Sequence, residues 1–405
     1  MGQGPLSGVK VLDLTAVVVG PSCTLTLAEQ GADVIKLEAP EGDLLRKLGG
    51  PAPSPDMSPK FIHFNRGKRS IAVDLKTIEG KAVLARLAEQ ADVLVTNMRG
   101  AALARLGITW ESLRPRNPRL VFCVIAGFGS RGRHHDSPAY DTIIQGMSGF
   151  AAALGRVTGE PRYAPFVLCD HITGIIASQA ITAALFARER SGEGQAIEVP
   201  MYESMAHFVL TEHMFKRTFD PDGPTGDPRV MNPDAKPIPT ADGYIAVSAN
   251  TDAQAFAFFD AIGRPELKAD ARFNSVAARF RNVDAYFNLR AEALRTRATA
   301  EWVATFRRAE IPAMPFATIE GLLDDPHLWE TGLLRREQHP TEGSMTGLGR
   351  PVSFSAAGPD ELPPAPRLSA DARGVLAGAG YTEAEIEALL GRAVVPPPGP
   401  APIPG

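Results

Sequence analysis

Five short β-rich runs recur through the first third of the chain, and turns and helical segments separate them. They read VKVLDLT (9–15), ADVIKLE (32–38), SIAVDL (70–75), ADVLVTN (91–97) and RLVFCVIAGFG (119–129). GPSCTLTLAEQG between the first two is a turn and a helix, and TIEGKAVLARLAEQ (77–90) is a helix with Thr77 and Gly80 placed for N-terminal capping. Strands spaced in this way predict parallel βαβ units in a doubly wound sheet. Sheets of that kind bind ligands beyond the carboxyl ends of their strands. Those ends carry Glu38, Asn97 and the GFGS loop at 127–130. The turn after the first strand reads AVVVGPS and holds no GxGxxG, so a dinucleotide cofactor is not expected.

A length of 405 residues exceeds one ordinary core and predicts two domains. Residues 1–215 form the N-terminal part of a large domain, and the Pro-, Gly- and Asp-rich stretch 219–239 reads as a linker. Residues 225–325 form a smaller α+β domain, with a hairpin around Asp242-Gly243 and helices through DAQAFAFFDAIG and AYFNLRAEALRTRATAEWVATFRRAE. Beyond it, residues 340–360 read as extended segments and 382–392 as a final helix. The proline-rich end, 396–405, is expected to be a disordered tail.

A net charge of −4 with no basic block argues against a general nucleic-acid binder. Three scattered cysteines, Cys23, Cys123 and Cys169, supply neither a disulfide framework nor a CxxC site and fit a reducing, cytoplasmic setting. No signal-peptide pattern opens the chain, and no run approaches about 20 uninterrupted apolar residues, so no membrane span is expected. The histidines at 134, 135, 207 and 213 lack a recognised ligand spacing, so no metal is expected. There is no GxSxG elbow for a hydrolase serine.

One residue stands against its surroundings. In VLCDHITGII (167–176) a single carboxylate, Asp170, interrupts an apolar run. A helix follows it and closes with Arg188, Arg190 and Gly192. Asp170 therefore has two readings, a helix cap or a working carboxylate.

Six strings, in order, settle the direction: PLSGVKVLDLT with GADVIKLEAPEGDLLR, FNRGKRSIAVDLKTIEGK, DVLVTNMRGAALARLGI, NPRLVFCVIAGFGSRG, SPAYDTIIQGMSG and GEGQAIEVPMYES. Together they resemble the class III CoA-transferases, the family of formyl-CoA:oxalate and L-carnitine CoA-transferases. The likeness is dense over about 5–215 and thinner through EIPAMPFATIEGLLDDPHL to GYTEAEIEALL. The resemblance implies a Rossmann-like large domain with a parallel sheet, completed by residues 326–395 returning to it, a smaller α+β domain and a ring-like, interlocked homodimer. It implies transfer of coenzyme A from an acyl-CoA donor to a small carboxylic acid, with acyl-CoA as substrate and no prosthetic group. Asp170 fits the family's nucleophile, which forms an aspartyl anhydride and then an aspartyl-CoA thioester.

By matching position, the resemblance implies coenzyme A contacts from Lys68, Asn97, Arg99 and Arg105, with Val18, Val19 and Met98 lining the channel and Tyr140 near the thioester. The related α-methylacyl-CoA racemases carry a histidine at the place of Tyr140; tyrosine, with a pKa near 10, is a poor base, so transferase leads racemase. A non-catalytic acyl-CoA-binding relative is a third reading. Asp141 either orients a neighbour or caps a helix. Valine at position 18, where the formyl-CoA transferases have glutamine, and the lack of their glycine-rich loop count against oxalate and toward a larger or more apolar acid.

Overall fold

The computed structural model describes residues 4–358 and 362–398. It divides into two compact units, one formed by residues up to 148, 164–207 and 327 onward, the other by 149–163 and 208–326. Residues 149–163, expected in the first domain, thus pack with the second unit. The proline-rich tail lies mostly outside the described residues; Pro396, which is described, accepts a hydrogen bond from Ser369 Oγ at 2.8 Å.

The first unit is built on β1 (Lys10–Leu14), β2 (Asp33–Glu38), β3 (Lys68–Ala72), β4 (Val93–Thr96), β5 (Val121–Ala126) and β6 (Gln195–Pro200). All pairings are parallel and the order is β3-β2-β1-β4-β5-β6, a Rossmann-like arrangement that reverses direction between β1 and β4. The connections carry α1 (Val19–Glu29), α2 (Pro59–Asn65), α3 (Ile78–Gln90), α4 (Gly100–Leu106), α5 (Trp110–Leu113), α6 (Asp141–Met147) and the long α8 (Leu168–Ser191); α7 (Phe150–Thr158) belongs to the second unit.

Strand alternation sorts the core onto two faces. Leu12, Leu94 and Phe122 pack with Leu84 and Leu87 of α3 and with Leu376 and Ile386 of the C-terminal helices. Val11, Val93 and Cys123 pack on the other face with Cys23 and Leu27 of α1 and Ala177 and Ile181 of α8. Two glycines let α1 lie close to its neighbours. A Cβ on Gly174 of α8 would stand 2.8 Å from the Val19 carbonyl, and one on Gly20 would stand 2.1 Å from Thr15 Cβ. By length and composition α8 could cross a membrane, but half of its most apolar stretch is buried in the fold, packed against α1, β5 and β6.

Two elements differ from expectation. β3 starts at Lys68, two residues before the apolar run at 70–75, because that lysine is itself buried. β6 lacks an apolar signal because it is a half-exposed edge strand.

The second unit pairs β7 (Ile238–Pro239), β8 (Tyr244–Val247) and β9 (Ala313–Pro315) in an antiparallel sheet. Beside it stand α10 (Asp252–Ala261), α11 (Val276–Arg281), α12 (Val283–Leu294) and α13 (Thr299–Arg308), with Phe258, Tyr286, Trp302 and Phe306 at the core. The long helical stretch expected over 285–310 breaks between α12 and α13.

Candidate active site

Asp170 is the third residue of α8 and only 8% exposed, yet it is not the cap of that helix. The cap arrives from α6. Asp141, also buried, accepts the N–H of Cys169 at 2.7 Å and of Asp170 at 3.2 Å on Oδ1. Its Oδ2 accepts from Gln145 Nε2 at 2.6 Å. Gln145 also donates to the Phe166 carbonyl at 3.1 Å and accepts the Ala164 N–H at 2.8 Å, which ties down the approach to α8. With the helix-start amides turned to Asp141, none of the described residues donates to the Asp170 carboxylate. Burial first, and the Asp141 charge second, push its pKa up to about 7.

An open cleft of about 400 Å³ adjoins this point. Val167 and His171, on either side of Asp170 in the chain, both line it, with Val18, Phe64, Phe166 and Lys60. The His171 ring lies 5.4 Å from that of Phe64, and burial holds its pKa below the usual histidine value.

Val18 reaches the cleft through a constrained turn at the point where the sheet reverses. Asn97, just past β4, accepts the Ala16 N–H at 3.1 Å and donates to the Ala16 carbonyl at 2.9 Å. Val17 sits at φ +67°, an unfavourable region for a β-branched residue, and its N–H donates to Asp43 Oδ1 at 3.0 Å. Asp43 in turn pairs with Lys36 at 2.9 Å.

The expected coenzyme A contacts divide accordingly. Lys68 does not line this cleft: 2% exposed, its ammonium is enclosed by Asp13 at 3.1 Å, Thr24 at 2.8 Å and Asn65 at 2.9 Å. The Asn97 amide serves the loop backbone. Val19 belongs to the core, packed with Cys23 and Leu27, while Val18 alone of that pair faces the cleft. Met98 is half-buried against the α3 side of the sheet. Arg99, at the cap position of α4, and Arg105, in its last turn, are exposed and form no ion pair among the described residues. Tyr140 immediately precedes Asp141 and is 69% exposed.

The histidines before Tyr140 are engaged elsewhere. His134 packs on Phe128 with centroids 5.4 Å apart, and His135 pairs with Asp136 at 3.0 Å. No group of three or more metal-ligating side chains forms among the described residues. Sequence reasoning missed Gln145, Lys60, Phe64, Phe166 and His171. For Gln145 a signal existed, since Asp141 and Gln145 in DTIIQ stand at i and i+4 and share one helix face.

Residues 6–372 match CoA-transferase family III. The chain is 35% identical over 388 residues to a succinate–glutarate CoA-transferase of Agrobacterium fabrum, covering 92% of this chain and 95% of that one. It is 33% identical over 415 aligned residues to a formyl-CoA:oxalate CoA-transferase of Shigella sonnei, covering 95% and 98%. A crystal structure of a CaiB/BaiF family protein from Brucella suis superposes with a TM-score of 0.77 at 31% identity, covering 93% of this chain and 100% of that one. A Mycobacterium tuberculosis protein gives 0.79 at 29% identity, again covering 93% and 100%. With that agreement across nearly the whole length, the chain belongs to CoA-transferase family III and is an enzyme.

Proposed function

We propose that this enzyme moves coenzyme A from an acyl-CoA donor to a carboxylic acid, with Asp170 as the nucleophile. The observation that carries this reading is a buried carboxylate that accepts no hydrogen bond from the described residues, beside an open cleft. A poorly solvated carboxylate is the more reactive nucleophile once it is ionised. Attack of its oxygen on the thioester carbonyl carbon forms an acyl-aspartyl anhydride and expels CoA thiolate. The thiolate then attacks the aspartyl carbonyl, giving an aspartyl-CoA thioester and releasing the donor acid. The acceptor carboxylate displaces CoA to form a second anhydride, and the thiolate returns to the acceptor's acyl carbon, freeing Asp170. Arg99 and Arg105, exposed and without an ion pair among the described residues, are the groups we assign to coenzyme A phosphates, with Tyr140 near the thioester.

The apolar side chains of Val18, Phe64, Phe166 and Val167 support an acid with a hydrocarbon body. Succinate and glutarate, named for the Agrobacterium relative, are the first acceptors to test, with oxalate as the contrast. We further assign an interlocked cytoplasmic homodimer. Ile175 and Phe186 of α8, 59% and 62% exposed, support a partner surface, and light scattering should return twice the mass of one chain.

The decisive experiment is intact-protein mass after mixing with a panel of acyl-CoAs. A hydroxylamine-sensitive CoA adduct is expected on the wild type and not on Asp170→Ala; binding of CoA with no adduct from any donor counts against the reading. His171 carries a second reading, a racemase, because it is a cleft-lining imidazole that burial disfavours in its charged form. Exchange of the substrate α-proton in deuterated water would reveal it.

The pH dependence follows from the carboxylate pair. Asp170 must lose its proton to act, so kcat/KM for the donor is expected to rise with pH through about 7. Asp141→Asn keeps an acceptor for the α8 amides but removes the neighbouring charge, so Asp170 ionises more readily and this limb shifts to lower pH. A limb that stays in place would show that Asp141 does not tune Asp170.

A further inference from the structure

We propose that the second unit carries a binding site for an organic carboxylate, built around the guanidinium of Arg290. Arg290 lies on α12 and is only 8% exposed. Its Nη2 donates to the Val247 carbonyl of β8, while its buried Nε has no acceptor. Among the described residues no carboxylate pairs with it, and the rings of Tyr286 and Phe287 lie beside it at 5.5 and 5.6 Å. A guanidinium cannot shed its proton in a protein, so this is a buried cation lacking an anion.

An open cleft of about 400 Å³ meets Arg290. Arg229 on its wall is exposed and has no acidic partner among the described residues, whereas Lys236 is already paired with Asp234 at 2.9 Å. Ser248 and Asn250 are bonded to each other at 2.9 Å. The cleft therefore offers two uncompensated guanidinium groups beside the apolar surfaces of Ile238 and Phe287. A planar guanidinium fork matches a carboxylate, and apolar walls match a hydrocarbon body. An organic acid can bury its hydrocarbon body on these walls and inorganic phosphate has none, so the cleft favours the organic acid.

The test uses 4-bromobenzoate as probe, soaked into crystals of the full-length protein and titrated in solution by thermal shift. A bromine anomalous peak is expected in this cleft, with the carboxylate on Arg290. In solution a saturable rise in melting temperature is expected, and inorganic phosphate should not reproduce it. Arg290→Met should lose the peak. Arg290→Lys, which keeps the buried charge should the methionine variant fold poorly, should bind about tenfold more weakly because the bidentate fork is gone. A peak absent from this cleft, phosphate binding as well as bromobenzoate, or an unchanged affinity in Arg290→Lys would each overturn the proposal.

Discussion

Asp170→Asn is expected to lower turnover by roughly 10³-fold or more while making the folded protein more stable at pH 8. The first effect is the loss of a nucleophile, for which an amide of the same shape is no substitute. The second comes from the environment that makes the carboxylate reactive. Its pKa in the fold is about 7, raised by burial and by Asp141 from an ordinary value of 3.8. For an acid held above its unfolded value, the unfolded chain releases its proton first, so stability is lost as pH rises from about 4 and the loss is complete above about 7. The full gap corresponds to on the order of 4 kcal/mol, which the neutral asparagine recovers. Urea unfolding at pH 5 and pH 8 checks the sign: the gain should be larger at pH 8. An asparagine variant less stable than wild type at both values would mean that the carboxylate is satisfied by its surroundings, contrary to the geometry of α8. This is the expected trade at a site whose reactivity depends on poor solvation.

Much of the first unit is legible because a parallel sheet covered on both faces writes itself as apolar runs. VLVT of β4 is buried at every residue, and VKVLDLT and RLVFCVIAGFG need no partner to be recognised. Asp170 is legible for the opposite reason, as one charge among apolar neighbours. The cap of its helix is not, because Asp141 lies 29 residues away in sequence and reaches α8 only once the chain has folded. Sequence equally fails to separate a surface cation from a buried one. FNRGKRSIAVDL reads Lys68 and Arg69 alike, although Lys68 is 2% exposed and Arg69 pairs with Asp33 near the surface. Asn97 illustrates a third limit. Its position at a strand end marks it as important, but only the fold shows that its amide is committed to the backbone of Ala16.

Lys68→Met is expected to destabilise the protein by about 3–5 kcal/mol, the usual cost of removing one member of a buried ion pair. Asp13 is fully buried, and burial by itself would raise its pKa; Lys68, Lys36 and the hydroxyls of Thr15 and Thr24 bring it down to about 2. Without Lys68 the carboxylate loses its nearest cation, its folded pKa rises, and the penalty grows as pH climbs above the unfolded value near 4. The variant should therefore differ most from wild type at pH 7 and least near pH 4, a trend that urea melts can follow. Asp13→Asn in the same chain removes the stranded charge; its one carbonyl oxygen can still accept from Thr15 while its amide NH2 faces the Thr24 hydroxyl, which must then turn to accept, so the double variant should be less destabilised than the sum of the two singles. Catalysis should suffer too, because Thr15, bonded to Asp13, hands its carbonyl to Lys36 and leads directly into the strained turn that presents Val18. The same measurements separate this role from ligand binding. A lysine that held coenzyme A would, when replaced, raise KM with stability intact, and that is the pattern expected instead of Arg99→Ala and Arg105→Ala, whose exposed side chains leave nothing buried behind.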